Sequence, residues 1–226
     1  MRSIDIHAHL MPSRMLERLQ KGESWHGVTG HRNSQGQLIF GLGDRTMALS
    51  PAFSWNVDQR LADMNSLGVD VQVVSTFIGY YDFKSDDEAA AACREANEEV
   101  AGMIVGHPDR FSGFCTLPIQ NIPSAVSEME RGMTELGLKG AMIDDTAQGR
   151  TLDHPDLWPL WQAAEQLGAL IFVHQGAPTV VSYRTERYHL PNTIGNPAER
   201  AVTFASLVFG GVMDKFPELK VCLAHG

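Results

Sequence analysis

The chain has 226 residues, 43% of them hydrophobic, which is enough for one full-sized core and predicts a single domain. Its net charge of −9, without a basic cluster, argues against nucleic acid as a partner, because an acidic surface repels phosphate. No apolar run approaches the roughly 18 residues of a membrane helix, and the first residues, MRSIDIHAHL, do not resemble a signal peptide. Three separated cysteines, Cys93, Cys115 and Cys222, fit a reducing compartment. From these observations together we expect a cytoplasmic protein that does not associate with a membrane.

One pattern recurs along most of the chain: an amphipathic helix, a glycine, and then a short β-rich run. Glycine just past a helix end supplies a left-handed cap, and strands alternating with helices are typical of a parallel α/β sheet. The predicted strands start near positions 3, 69, 111, 139, 169 and 220. The first predicted helix begins near Asn56, with Leu61, Met64 and Leu67 on one face, and the second runs from about Asp87 to Val105. The third has Ser124 as its cap and Gly137 after its end. The fourth runs from about Pro155 to Leu167, and the fifth from Pro197 to about Phe209.

The first two strands are separated by residues 11–55, which are rich in Gly, Ser and His. This segment contains a predicted hairpin, QLIFGLGDRTMAL, and is too long for a simple crossover. We interpret it as a lid or substrate loop over the top of the sheet; the alternative is a surface insertion without a function.

The last predicted strand, KVCLAHG, ends at the last residue of the sequence, although a parallel sheet normally needs cover on both faces. A complete (β/α)8 TIM barrel would need two further strand–helix units. We therefore expect residues 1–226 to be a single, incomplete TIM-barrel domain with about six of eight strands, and not to fold alone as a closed barrel. An open, six-stranded, doubly wound sheet is the alternative.

Two histidines lie on the first strand, SIDIHAHL. Alternation along a strand puts Asp5, His7 and His9 on one face, while Ile6 and the other apolar residues pack under the helices. The polar face would point into the barrel at its C-terminal end, where barrel active sites lie. Imidazoles two residues apart on a strand can converge on one cation; the alternative is a hydrogen-bonded pair of core histidines.

Two further strands also end in histidine. His174 ends ALIFVH, on the face of Leu170 and Phe172, and is the predicted third ligand of an open, catalytic type of metal site. His225 ends KVCLAH on the neighbouring strand and suits a general acid or base; an additional ligand or a structural histidine are the alternatives.

Several runs of the sequence together resemble a known family. These are IDIHAH, FVH, GNPAE, RFSGFCTLP, WNVDQRLADMNSLGVDVQVVST and FGGVMDKFPELKVCLAHG. They are similar to the amidohydrolase-related family, in the group that contains aminocarboxymuconate-semialdehyde decarboxylase. The resemblance implies a (β/α)8 barrel with a small insertion after the first strand and a divalent metal, zinc first and manganese second.

The resemblance also implies roles for individual residues. The metal ligands would be His7, His9 and His174, together with an Asp that would lie beyond Gly226, and His225 would act in proton transfer. The family's substrate-carboxylate arginine has no residue in register here, although Arg45 is near.

The remaining predicted substrate contacts follow the third ligand. QGAP stands where the group has a Pro-Trp-Asp run, and His189 stands where it has a Trp that faces the substrate. With Arg45 and Arg184 as local cations, we expect a small acidic substrate. Asp144 and Asp145 could orient a ligand or serve a turn, and four histidines are interpreted as surface or capping residues: His26, His31, His107 and His154.

Three functions remain open at this point. The first is a metal-dependent, non-oxidative decarboxylase of an unsaturated or aromatic acid. The second is a hydrolase of a lactone, amide or related bond at the same metal, and the third is a non-catalytic binding module. A homodimer is the assembly we consider.

Overall fold

The computed structural model describes residues 2–42, 45–50, 56–76, 85–174 and 180–225, with only the backbone of residues 42 and 45. No helix in this part of the chain is long and apolar enough to cross a membrane. In chain order the described elements are β1 (Ile4–Leu10), α1 (Ser13–Gln20), β2 (Thr29–Arg32), β3 (Leu38–Leu42), β4 (Arg45–Ala48), α2 (Val57–Leu67), β5 (Val71–Thr76), α3 (Asp86–Gly106), β6 (Phe111–Gly113), β7 (Cys115–Thr116), α4 (Ile122–Thr134), β8 (Gly140–Ile143), β9 (Thr146–Ala147), β10 (Arg150–Thr151), α5 (Trp158–Leu167), β11 (Leu170–Val173), α6 (Ser182–Thr185), α7 (Asn196–Phe209), α8 (Val212–Lys215) and β12 (Lys220–Leu223).

The predicted strands pair in parallel and in chain order. One ladder has the order β1-β5-β6 and the other β7-β8-β11-β12. The predicted strand from Phe111 is divided between them, because β6 pairs with β5 whereas β7 pairs with β8. Phe114 lies at the division, and its N–H donates to Val74 O over 3.0 Å. The parallel α/β fold expected from the sequence is confirmed, and the closure of a complete ring stays a prediction.

One side of the parallel strands has its own small core. Five buried side chains on the strands or directly beside them form it: Val73, Phe114, Met142, Phe172 and Ala224. Ile6 packs against this cluster, so the prediction that it lies under the helices is wrong. The reason is a register shift between Asp5 and Ala8 in the pairing of β1 with β5, which breaks the strict alternation of side chains.

Helices cover the other side of the sheet. The ends of α2 carry the capping residues that the sequence predicted. The Asn56 side chain caps α2 by accepting from Gln59 N over 2.9 Å, and Gly68 ends the helix with a φ of 69°. On the same helix Met64 is buried but Leu67 is 77% exposed, so Leu67 does not belong to the buried face.

Helix α4 begins earlier than the sequence suggested. Its cap is Asn121, which accepts from Ser124 N over 3.0 Å, so the prediction of Ser124 as the cap is wrong. A proline at the first turn makes this start favourable, since proline lacks the N–H that would need a partner there. Gly137 has a φ of 74° and lies two residues beyond the C-cap, Glu135.

The described part of the segment 11–55 forms a unit of its own. It consists of α1 and the antiparallel sheet β2-β3-β4, which contains the predicted hairpin; α1 and β2 were not predicted. Its apolar side chains, among them Trp25 and Phe40, form a second core with α3. The α3 residues in this core are all small: Ala89, Ala92, Cys93 and Ala96. The Ala-rich face of α3 thus lets the segment approach the helix closely.

Candidate active site

Three of the predicted residues bring their ring nitrogens to one point at the C-terminal ends of the strands. His7 Nε2 lies 2.9 Å from His9 Nε2, which in turn lies 3.3 Å from His174 Nε2. The nitrogens of this group all lie within 4.8 Å of one another. The ring of His225 lies beside them, with its centroid 4.8 Å from that of His7 and 4.9 Å from that of His174.

The backbone of β1 is held from outside the histidine cluster. Arg60, on α2, donates from Nη2 to His9 O over 2.8 Å and from Nη1 to Gln72 Oε1 over 3.1 Å. Gln72 donates to Asp5 Oδ2, and Asp5 Oδ1 accepts from His7 N. A partly buried polar network therefore fixes the bulged strand that carries the histidine pair.

The peptide group before His174 is held on both sides. His174 N donates to Ile143 O over 2.8 Å, and Val173 O accepts from Ala224 N over 2.9 Å. His225 follows Ala224 with a φ of 61°, a value that non-glycine residues rarely adopt. Ala224 itself belongs to the small core with Phe172, so strict alternation would turn the next side chain away; the unusual backbone at His225 accompanies its approach to His7.

Burial favours the neutral form of His7, His9 and His225. It lowers the pKa of His9 to about 3, with the neighbouring His7 and His225 adding to the effect. Burial is also the largest cause that lowers the pKa of His7 and the pKa of His225. Neutral imidazole is the form that offers a lone pair to a metal ion. The site is therefore electrostatically suited to a cation.

The spacing of the nitrogens can be compared with that of metal ligands. Two nitrogens that each lie about 2.0 to 2.1 Å from one zinc ion are separated by about 2.9 Å at a right angle and about 3.3 Å at the tetrahedral angle. The observed 2.9 and 3.3 Å separations match these values. The donor set, three imidazoles on β1 and at the end of β11, fits a divalent metal ion.

A family model described as amidohydrolase matches residues 4–226. The chain belongs to the amidohydrolase family. The predicted family resemblance is thus confirmed over almost the whole sequence.

Named members of the amidohydrolase family are similar to this chain. The 2-amino-3-carboxymuconate-6-semialdehyde decarboxylase of Dictyostelium discoideum is 33% identical over 99% of this chain and 62% of its own length. The crystal structure of 5-carboxyvanillate decarboxylase from Sphingomonas paucimobilis has a TM-score of 0.76 at 25% identity, over 98% of this chain and 67% of that one. The chain spans about three fifths of the length of the first of these relatives.

A third relative contains a metal. The dihydroxybenzoic acid decarboxylase of Polaromonas, crystallised with manganese and the inhibitor 2-nitroresorcinol, has a TM-score of 0.70 at 21% identity, over 99% of this chain and 65% of that one. At 21% identity, this similarity shows a shared fold and nothing more specific.

The predicted substrate residues of this amidohydrolase chain are less well defined than the histidines. Arg184 is exposed on α6, and His189 is exposed, with a φ of 59° and a 3.1 Å hydrogen bond from Asn192 Nδ2 to its Nε2. Arg45 begins β4, but its side chain lies outside the described residues, as do QGAP at 175–178 and Gly226. Substrate contacts by Arg45, Arg184 and His189 therefore stay predictions.

Three of the four remaining histidines are surface or capping residues, as the sequence predicted. His31 is exposed, His107 is the C-cap of α3, and His154 accepts from Asp156 N at the start of a short 3₁₀ turn. His26 is half-buried, with its Nε2 3.2 Å from Glu95 Oε2.

Sequence reasoning missed a buried charged group next to the site. Arg200, in the first turns of α7, donates from Nη2 to Asp145 Oδ2 over 2.9 Å and from Nη1 to Val173 O over 3.0 Å. The neighbouring Glu199 accepts from Val180 N over 2.6 Å and is hydrogen-bonded to Asp145. Burial raises the pKa of Asp145 to about 7 and also raises the pKa of Glu199. The signal in the sequence was the adjacent pair in GNPAER, at a helix start that follows a histidine-bearing strand.

Proposed function

We propose that the protein is a metal-dependent, non-oxidative decarboxylase of an unsaturated or aromatic carboxylic acid. The observation that carries the proposal is the convergence of His7, His9 and His174 with a fourth imidazole beside them. The similarity to members of the family that are named decarboxylases supports this branch of chemistry.

The proposed cofactor is one divalent cation held by His7, His9 and His174. Zinc is the first choice, because neutral imidazole nitrogens at this spacing are common zinc ligands. Manganese is the second choice, supported by its presence in the Polaromonas relative. When bound, the cation supplies positive charge that stabilises negative charge developing on the substrate as CO2 leaves.

The proposed proton donor is His225. Loss of CO2 leaves an electron pair on the carbon that carried the carboxylate. A proton must then reach that carbon to complete the decarboxylation. The His225 ring lies within 5 Å, centroid to centroid, of both His7 and His174, so it borders the space in front of the proposed ligands. A neutral imidazole there can take a proton from solvent and deliver it.

The proposed substrate contacts are Arg45, Arg184 and His189, which would pair with the carboxylate or a ring substituent. Residues 11–55, within a single barrel domain of residues 1–226, are proposed to act as the lid that carries Arg45. The packing of this segment on α3 supports a lid that is anchored at one side.

The proposed setting is the cytoplasm, and the proposed assembly is a homodimer. The three free cysteines, two of them buried, fit a reducing compartment.

The test is CO2 release by the full-length, zinc-loaded protein from a panel of aromatic and muconate-type acids. We expect turnover with at least one acid, and its loss in His225→Ala with the metal retained. His107→Ala, which changes the C-cap histidine of α3 outside residues 11–55, is the matched control and should keep the activity.

The same experiment separates the decarboxylase from a hydrolase. The ligand set also suits hydrolysis of a lactone or amide, so the panel includes these compounds. Lactone or amide turnover without CO2 from any acid would move the protein to the hydrolase branch. Metal binding without any turnover would favour a binding module.

A further inference from the structure

We propose that Arg200 is a positioning residue that holds the His174 and His225 side of the site in place. The inference rests on the proposed metal-binding function and deepens it. The group concerned is the buried cluster of Asp145, Glu199 and Arg200, none of which was a predicted ligand or proton donor.

The position of Arg200 makes it a bridge between strand ends. Its side chain is 3% exposed and comes from α7, the second α-helix after β11. One terminal nitrogen binds the carboxylate of Asp145, two residues past β8, and the other binds the carbonyl of Val173, the last residue of β11. A planar guanidinium fixes the two acceptors at a set distance and angle, which a single ammonium cannot do.

The carbonyl that Arg200 holds is shared by both histidines. Val173 O belongs to the peptide group that leads into His174, and it also accepts from Ala224 N, the residue before His225. A rotation of that peptide group would therefore turn His174 and weaken the bond that locates His225. The guanidinium occupies a further acceptor position of the same oxygen and resists this rotation.

The energetics of the cluster argue against a purely structural purpose. Arg200 Nε is buried and has no hydrogen-bond partner among the residues that the structure describes. Two carboxyl groups, Asp145 and Glu199, are buried beside the guanidinium. Replacing such a buried pair by apolar residues is often neutral for stability. A buried charged cluster that stability does not require is typical of functional sites.

The test compares metal affinity with stability in four variants of the full-length protein. The variants are Asp145→Asn/Arg200→Met, which removes the pair together; Arg200→Met; Arg200→Lys; and the control Glu128→Gln/Arg131→Met. The control changes a partly buried ion pair, of 2.7 Å, between two residues of α4. Affinity for Co²⁺ is measured by chelator competition with its visible spectrum, and thermal midpoints are measured in EDTA.

We expect Asp145→Asn/Arg200→Met to weaken Co²⁺ binding by about 10- to 100-fold and to change the spectrum of bound Co²⁺. We expect Arg200→Met to lose the same affinity, with a lower thermal midpoint than the double variant, because it leaves a buried carboxylate alone. The control should lower the midpoint while its Co²⁺ affinity stays within about twofold of the wild type.

Three outcomes would overturn the inference. The first is wild-type affinity and spectrum in the Arg200→Met and double variants. The second is an equal loss of affinity in the control, which would mean that general stability is responsible. The third is wild-type affinity in Arg200→Lys, which would show that charge alone suffices. A wild type that binds no Co²⁺ contradicts the proposed metal site itself, and therefore also this inference.

Discussion

Gly140 is the position at which the smallest change should most disturb the fold around the site. It opens β8 with a φ of 153° and pairs with Leu170 of β11. A Cβ added there would collide with Leu170 O and would lie 2.7 Å from Leu170 N, and neither backbone atom can move independently of the strand. An ordinary carbon–oxygen contact is about 3.3 Å, so Gly140→Ala must separate the two strands.

The expected cost of Gly140→Ala combines two terms. Backbone strain at such a φ costs about 1–3 kcal/mol, and overpacking typically about 1–3 kcal/mol more. Unfolding should therefore become easier by about 4 kcal/mol, or roughly 10 °C in the thermal midpoint of a chain of this size. Because β8 leads to Asp145 and β11 to His174, metal affinity should fall as well.

The assay is urea unfolding followed by circular dichroism, with Gly137→Ala as the matched control. Gly137 also has a positive φ, 74°, but a Cβ there would meet nothing within 4 Å. Only the left-handed backbone penalises this control, so its cost should be about 1–2 kcal/mol. A Gly140→Ala protein within 1 kcal/mol of the wild type, or equal losses in both variants, would refute the reasoning.

Two further predictions concern buried groups. Asn97 donates to Thr116 O and accepts from Thr116 N, and both bonds are buried; Asn97→Ala should cost about 3 kcal/mol in urea unfolding, and a loss below 1 kcal/mol would contradict this. Burial raises the pKa of Cys115 to about 12 and the pKa of Cys93 well above its usual range, so iodoacetamide at pH 8 should label the partly exposed Cys222 first. Mass spectrometry of the native protein that finds Cys93 or Cys115 labelled before Cys222 would contradict this order.

Much of the site could be predicted because it depends on local rules. Strand alternation and the parallel order of the sheet brought His7, His9 and His174 to one face, and these rules hold without knowledge of packing. The helix ends at Asn56 and Gly68 followed equally local capping chemistry. Such features require only the identity of a few neighbouring residues.

The features that were missed depend on distant contacts. Ile6 was misplaced because the register shift in β1 is set by pairing with β5, more than 60 residues away. Arg200 reaches Asp145 across 55 residues, and no periodicity records that pairing. The start of α4 was misjudged because Asn121 and Ser124 are both good capping residues, and the proline between them favours the earlier one.

The most direct test of the account is the metal content of the full-length protein and of two of its histidine variants. Wild type, His7→Ala, His174→Ala and the control His31→Ala are loaded with zinc, freed of excess metal and compared by elemental analysis. The account predicts close to one zinc per chain in the wild type and in His31→Ala, and a large loss in His7→Ala and His174→Ala. Equal metal in all four proteins would contradict the central claim that these histidines hold the cation.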